Sequence, residues 1–414
     1  MLLGVVFRKL IKAGSLTMIN HRGERRHFGQ PPGPETVVIR LTKPSTEWRI
    51  ALNPKLAVGE AYMDGDLVLE QGSIYDFLAL VVSNIGIHGT IPLSGVQRIF
   101  ERTMRLWYQF NPESAARRRV QHHYDLDGRL YDLFLDTDKQ YSCAYFPTPD
   151  ATLEQAQLAK KRHIAAKLNL QPGMTVLEIG CGWGGLALYL AETCGVNVVG
   201  ITLSHEQHAI AQRRAQERGL SDRVTFELMD YRKMDGQFDR IVSVGMFEHV
   251  GVPHYRAYFD GICRLLKNDG VALVHSIGRS EGPGTTPAFI RKYIFPGGYI
   301  PALSEVVPVI EKSQLWVTDM EILRLHYAET LKHWRSRFLA QWDKAQALYD
   351  ARFCRMWEFY LAASEITFRL WGQMVFQVQL TKQVDALPIT RDYMHDAELA
   401  LAGREKPQRF AKTG

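Results

Sequence analysis

Val176-Leu-Glu-Ile-Gly180-Cys-Gly182-Trp-Gly184-Gly185 is an apolar strand that carries an acidic residue near its end and runs straight into a glycine-rich turn. A helical pattern follows, carried by Leu186, Ala187, Leu190 and Ala191. Glycine lacks a Cβ and accepts positive φ, so such a turn lets a ligand lie against bare backbone. The start of the next helix adds unpaired N–H groups and a positive dipole end. Together these features point to a nucleotide-like cofactor at the C-terminal edge of a strand.

Two cofactors compete for that turn. Gly180, Gly182 and Gly185 fit the dinucleotide pattern G-x-G-x-x-G, which an ordinary tight βα turn also satisfies. A dinucleotide site adds an acid at the end of the second strand. That strand reads Val196-Asn-Val-Val-Gly-Ile201, and Thr202-Leu-Ser-His-Glu-Gln207 follows with no acid at the strand end. Thr202 and Gln207 offer a ribose neutral hydrogen bonds instead. Glu178, two residues before the first glycine, resembles the acid of the E-x-G-x-G-x-G motif in class I S-adenosylmethionine methyltransferases.

Around the turn, helices from residue 118 lead into a βαβαβ order. Strands are expected near 174–179, 196–201, 223–229, 239–245 and 270–277. This alternation predicts an α/β fold, a Rossmann-like parallel sheet with helices on both faces. The last hundred residues open with an aromatic-rich helical region, and Gly372–Leu380 alternates like a closing strand. Upstream, residues 1–35 read as a basic arm ending in a Gly/Pro loop. Thr36–Leu41 and Trp48–Leu52 read as strands, 74–108 as helical, and Asn111–Arg119 as a charged linker. The expected organisation is a smaller N-terminal α+β domain over 1–110, a linker at 111–117 and a catalytic domain over 118–414.

Composition sets the frame. A chain of 414 residues, 46% hydrophobic and 23% charged, has core enough for two domains. The net charge of +6 permits an anionic partner without identifying one, and no nucleic-acid partner is expected. Five cysteines without paired short spacing argue for reduced thiols in the cytoplasm, with no disulfide framework and no metal site. Ile74–Ile87 is apolar but interrupted by Asp76 and Asn84, so it reads as a core helix and not a membrane span. Cations follow the apolar Leu2–Phe7 instead of preceding it, which is the wrong order for a signal peptide.

Five motifs, the glycine turn among them, occur in order. They are Gln140-Tyr-Ser-Cys-Ala-Tyr-Phe146, the glycine-rich turn, Gly245-Met-Phe-Glu-His-Val-Gly251, His275-Ser-Ile-Gly278 and Lys292-Tyr-Ile-Phe-Pro-Gly297. Taken together, residues 118–380 resemble the cyclopropane-fatty-acyl-phospholipid synthases and the mycolic acid cyclopropane synthases. The N-terminal part resembles the extra domain of the phospholipid enzymes. The resemblance implies a seven-stranded class I methyltransferase sheet, reversed at its end, and S-adenosylmethionine as cofactor. It carries cofactor contacts onto Tyr141, Ser142, Glu178, Gly180, Gly182, Thr202, Gln207 and Asp230. It also implies a bicarbonate held by Cys143, Glu248, His275, the backbone of Ile277, and Tyr327.

That anion set makes chemical sense. Thiol, imidazole, phenol and backbone N–H donate, while an ionised Glu248 accepts the bicarbonate O–H and strengthens its basicity. An alkene carbon that attacks the sulfonium methyl leaves a cation on its neighbour. Loss of a proton from the new methyl then closes the ring, so a base must lie within hydrogen-bond reach. Aromatic faces stabilise the cation, and Tyr145, Phe146, Phe247, Tyr293 and Phe295 are the candidates by motif position. Taken singly, Cys143 reads as a small buried residue, Glu248 as a helix-start charge, His275 as a core histidine and Tyr327 as packing. Their joint order lifts the functional reading.

A lipid substrate calls for contact with a bilayer. Leu2, Leu3, Val5, Val6 and Phe7 beside Arg8, Lys9 and Lys12 are expected to form an amphipathic membrane-surface helix. Arg22, Arg25, Arg26 and Arg117–Arg119 extend the positive charge toward anionic phospholipid. The expected localisation is cytoplasmic, peripheral to the inner face of the cell membrane, and the resemblance implies a homodimer. The leading function is cyclopropane formation on an unsaturated phospholipid acyl chain. The alternatives are a methyl- or methylene-branched product, a silent lipid- or cofactor-binding protein and, most distantly, a dehydrogenase.

Overall fold

Leu2–Leu10 folds as a helix, α1, and its Leu3, Val6, Phe7 and Leu10 fall on one side at helical spacing. The computed structural model describes residues 2–86 and 128–405. The expected linker at 111–117, the end of the 74–108 helical stretch and Arg117–Arg119 lie outside the described residues. Of the five apolar residues expected to meet a membrane, Leu3, Val6 and Phe7 are buried, Leu2 is half-buried and Val5 is exposed. Phe7 packs on Phe28 with ring centroids 5.6 Å apart and meets Phe77 edge-on at 6.4 Å.

The basic arm is structured as well. Strands β1 (Ser15–Ile19) and β2 (Arg25–Gly29) form an antiparallel hairpin. Asn20 closes its turn by accepting the N–H groups of Arg22 and Glu24. Strand β3 (Val37–Leu41) runs parallel to β1. Trp48–Leu52, expected as a strand, lies instead in helix α2 (Pro44–Leu52), followed by α3 (Pro54–Met63). Each helix carries a proline in its first turn, where the missing N–H costs nothing and φ is preset. Glu47, Ile50 and Ala51 are buried at i, i+3 and i+4, a period that a five-residue window does not distinguish from alternation. Strand β4 (Leu67–Gln71) completes a four-stranded sheet of order β2-β1-β3-β4, and α4 (Ile74–Ile85) starts at a Ser73–Asp76 capping box.

The larger layer begins with the short α5 (Gly128–Asp132) and α6 (Leu153–Lys167). It continues through β5 (Thr175–Ile179), α7 (Gly185–Cys194), β6 (Asn197–Thr202), α8 (His205–Glu217), β7 (Val224–Leu228), β8 (Phe238–Val244), α9 (Tyr255–Leu265) and β9 (Leu266–Arg279). Then come α10 (Leu303–Ile310), β10 (Trp316–Leu323), α11 (His326–Ala340), α12 (Trp342–Leu348), α13 (Ala351–Leu370), β11 (Gln373–Thr381) and α14 (Asp392–Ala402). The sheet order is β10-β11-β9-β8-β5-β6-β7. Strands β5 to β9 are mutually parallel, while β11 runs antiparallel between β9 and β10. This is the class I methyltransferase sheet with its reversed end. Strand β10 was not anticipated, because an edge strand with Trp316, Val317 and Thr318 exposed and acids at 319 and 321 lacks a clean apolar alternation.

Helices α11 and α13 join the two layers. The Tyr62 hydroxyl donates to Glu358 at 2.6 Å, Arg352 pairs with Asp64 at 2.8 Å, and the Arg335 guanidinium lies 4.4 Å over the Tyr75 ring. One apolar cluster runs from Leu3 and Phe77 to Trp334 and Trp357.

Candidate active site

The turn after β5 does what its glycines require. Gly180, Gly182 and Gly184 have φ of 84°, 53° and 79°. The N–H groups of Gly180 and Cys181 both donate to the Ile201 carbonyl, which ties the turn to β6. A Cβ on Gly180 would sit 2.9 Å from the Met246 Cβ, whereas one on Gly182 would meet nothing within 4 Å. That empty space belongs to a cavity at the C-terminal edges of β5 to β8. All eight residues expected to contact the cofactor line it.

Their local chemistry differs. Burial pushes the Glu178 carboxyl up to about 8, so at neutral pH it is a protonated donor, and its Oε2 has no partner among the described residues. The Thr202 hydroxyl donates to Gln207 Oε1 at 2.9 Å, while Ser204 caps α8 by accepting the Gln207 N–H at 3.2 Å. Asp230 is clamped by Arg232, whose Nε and Nη2 lie 2.8 and 2.6 Å from its two oxygens. Burial alone would raise this carboxyl, but the Arg232 bonds hold it below the usual range.

Tyr141, Ser142 and Cys143 sit on a loop pinned from beneath by α6. Gln157 Nε2 donates to the Gln140 and Ser142 carbonyls at 3.2 and 3.0 Å. Lys160 Nζ donates to Gln140 Oε1 at 2.6 Å and to Ser142 Oγ at 2.8 Å. Lys160 is 1% exposed, and burial pulls its ammonium down to about 8. Burial would raise the neighbouring Asp138, but Lys161, Arg214 and Arg218 outweigh it and hold that carboxyl near about 2. Sequence reasoning missed Gln157 and Lys160, because lysine on a helix reads as a surface residue.

A second, larger cavity also reaches this loop. Cys143, Glu248, His275, Ile277 and Tyr327 all line it. Burial pushes the Cys143 thiol well up, so it stays a neutral donor. Burial drives His275 down to about 3. Its Nδ1 lies 3.1 Å from the amide of Gln377, directly across on β11. An amide that donates to Nδ1 leaves the ring proton on Nε2.

Glu248 sits in a 3₁₀ turn over Phe247–His249, with its Oε1 accepting the Ile277 N–H at 2.6 Å. Its Oε2 is buried with no partner among the described residues. The resemblance placed the Ile277 backbone on the anion, but here that N–H holds the Glu248 carboxylate. Burial raises this carboxyl to about 7, partly countered by the Ile277 bond.

The aromatic wall differs from the one expected. Phe295 lines the second cavity, joined by Phe289, Tyr299, Phe359, Tyr360 and Phe368. Tyr145 is instead stacked between His163 and His326, Phe247 packs on Tyr255, and Tyr293 donates to Glu60 at 2.9 Å. Motif position places a residue near a site but does not say which way it faces. The two cavities share Tyr141, Ser142, Gly245 and His249. Burial holds His249 down to about 4, which keeps it neutral at this junction.

Comparison with known proteins gives consistent results. The family model described as mycolic acid cyclopropane synthetase matches residues 112–378. A cyclopropane-fatty-acyl-phospholipid synthase of Escherichia coli strain K12 is 40% identical over 351 residues, covering 84% of this chain and 88% of that one. A probable fatty acid methyltransferase of Pseudomonas putida is 42% identical over 288 residues, covering 67% and 73%. Among solved structures, mycolic acid cyclopropane synthase CmaA1 complexed with SAH and CTAB aligns with a TM-score of 0.62 at 36% identity. It covers 66% of this chain and 99% of that one.

Proposed function

Because this chain belongs to the mycolic acid cyclopropane synthetase family, we propose that it methylates the cis double bond of an unsaturated phospholipid acyl chain and closes a cyclopropane ring. One observation carries the reading. A mixed polar and apolar cavity beside a glycine turn and a largely apolar cavity lined by the anion set meet at Tyr141, Ser142, Gly245 and His249. Methyl donor and alkene would meet at that shared wall.

The residues fit both groups the reaction needs. The bare backbone at Gly182, the protonated Glu178 and the Thr202–Gln207 pair suit S-adenosylmethionine. When bound, it supplies an electrophilic methyl. The neutral Cys143 thiol, His275, Tyr327 and the unpartnered Glu248 Oε2 suit bicarbonate, which would supply the base. Glu248 accepts, the other three donate, and the aromatic wall excludes water from the developing cation.

We assign residues 118–414 to catalysis and 1–110 to the lipid side, with 111–117 as the linker. Among the described residues no helix is long and apolar enough to cross a membrane. With Leu3, Val6 and Phe7 of α1 buried, contact with a bilayer falls mainly to other groups. Trp48 and Leu52, at i and i+4 on α2, are 57% and 66% exposed. A peripheral, homodimeric enzyme completes the proposal.

The test is incubation with unsaturated phospholipid vesicles and methyl-labelled S-adenosylmethionine. A gain of one CH2 with upfield cyclopropane proton signals is expected, with salt-sensitive cosedimentation and a dimer on light scattering. A methylene or methyl-branched signature would move the assignment to the second reading, which the likeness to a probable fatty acid methyltransferase supports. No gain with any lipid would sink the enzyme reading.

The pH dependence is a separate expectation. Only ionised Glu248 accepts the bicarbonate O–H, and its carboxyl titrates at about 7. With bicarbonate kept saturating, kcat/KM should climb about tenfold per pH unit below that value and level off above it. A flat profile from pH 5.5 to 8.5 would remove Glu248 from this role.

A further inference from the structure

The second cavity does not end in the catalytic layer. Leu3, Val6, Phe7 and Leu10 of α1, with Phe77 and Val81 of α4, form its wall farthest along the chain from the anion set. These two helices belong to the layer built by residues 2–86. Leu3, Phe7 and Phe77 are 1%, 4% and 2% exposed, so these three side chains form a buried part of the wall, while Leu78, Val81, Val82 and Ile85 beside them are half-buried. The Phe7 and Phe77 rings meet edge-on at 6.4 Å, and no charged or polar side chain of α1 or α4 lines the cavity. Where the cavity does reach the surface, half-buried Pro54 and Lys55 and exposed Pro287 line it.

We propose that the N-terminal layer is the end stop of the acyl site, and that Phe7 and Phe77 set how many carbons fit beyond the double bond. The inference rests on the reading that this cavity takes an acyl chain. A phospholipid head group cannot be buried unpaired in such a wall without a large cost, so the chain enters methyl end first. The terminal methyl then runs toward α1 and α4 while the double bond stops at the Cys143–Glu248–His275 cluster. The distance between stop and cluster acts as a ruler on the tail side of the double bond. The carboxyl side, which extends toward the mouth, is unmeasured. The apolar side of α1, an expected membrane contact, thereby receives an acyl chain from within.

The experiment is a competition in mixed vesicles. One lipid pair differs by two methylenes beyond the double bond, and a second pair differs by two methylenes between head group and double bond. Product ratios are read by mass spectrometry, so the amount of active enzyme cancels. Wild type should discriminate within the first pair and not the second. Phe77→Ala should shift the first ratio toward the longer tail by about tenfold, within the range known for methylene discrimination in apolar pockets. Phe77→Trp should shift it toward the shorter tail, and the milder Phe77→Leu covers a folding defect in the others.

An unchanged first ratio in active variants would overturn the ruler while leaving the enzyme reading intact. So would folded variants, shown by S-adenosylhomocysteine binding, that have lost activity on every tail. Absence of product from wild type itself would instead overturn the function.

Discussion

Glu248→Gln should bind S-adenosylhomocysteine within about twofold of wild type yet lose on the order of a hundredfold to a thousandfold in kcat, the scale of a lost acid–base partner. Glu248 does not line the first cavity, so cofactor contacts are untouched. Its Oε1 accepts the Ile277 N–H at 2.6 Å, and a glutamine oxygen keeps that bond. The new NH2 then stands where Oε2 stood. It presents a donor to a bicarbonate O–H that needs an acceptor, and the anion loses both orientation and basicity.

The variant should also fold at least as well. Because the folded-state carboxyl is raised above 4.5 to about 7, its burial costs stability as pH rises through that interval, and the amide removes the cost. Calorimetric titration, single-turnover kinetics and melting curves at pH 5 and 8 would check all three points. A kcat within threefold of wild type would remove bicarbonate orientation by Glu248 from the mechanism.

The second large effect separates two glycines of one turn. Gly182→Val should weaken S-adenosylhomocysteine binding by about a hundredfold. The side chain projects into open cavity, so the cofactor loses one or two backbone contacts of about 1–3 kcal/mol each. Stability should fall only by the cost of a non-glycine residue near φ 53°, about 1–2 kcal/mol. Gly180→Ala should act on the fold. Its Cβ meets the Met246 Cβ at 2.9 Å at φ 84°, so overpacking adds about 1–3 kcal/mol to the backbone cost. Titration calorimetry beside thermal melts distinguishes the two. Wild-type affinity in Gly182→Val would place the cofactor elsewhere.

The features most legible in the sequence were those set by local chemistry. The glycine turn, the five parallel strands and the closing β11 each follow from a few adjacent residues. The residues expected at the cofactor and at the anion came from short motifs that each belong to one loop or strand end, and each set lines one cavity. What stayed hidden depends on partners distant in the chain. Periodicity marks Leu3, Val6 and Phe7 as one apolar side but does not say whether lipid or protein covers it. Lys160 became part of the site only because Gln140 and Ser142 fold back over it. Phe289, Phe359 and Phe368 join the cavity wall through tertiary packing that no spacing encodes.

The sharing of only four residues between the two cavities has a consequence for traffic. On the proposed reading, the nucleoside would pass half-buried Tyr231 and Arg232 of the first cavity, and the lipid Pro287 and Lys55 of the second. If the protein docks on a membrane as proposed, spent nucleoside would exchange while it stays docked, and the slow step of finding a new vesicle would not recur at each turnover. An enzyme so arranged would work a two-dimensional sheet processively. Preloaded protein diluted among unmodified vesicles should leave a few heavily converted and the rest untouched, whereas even conversion across all of them would mean that it lets go each time.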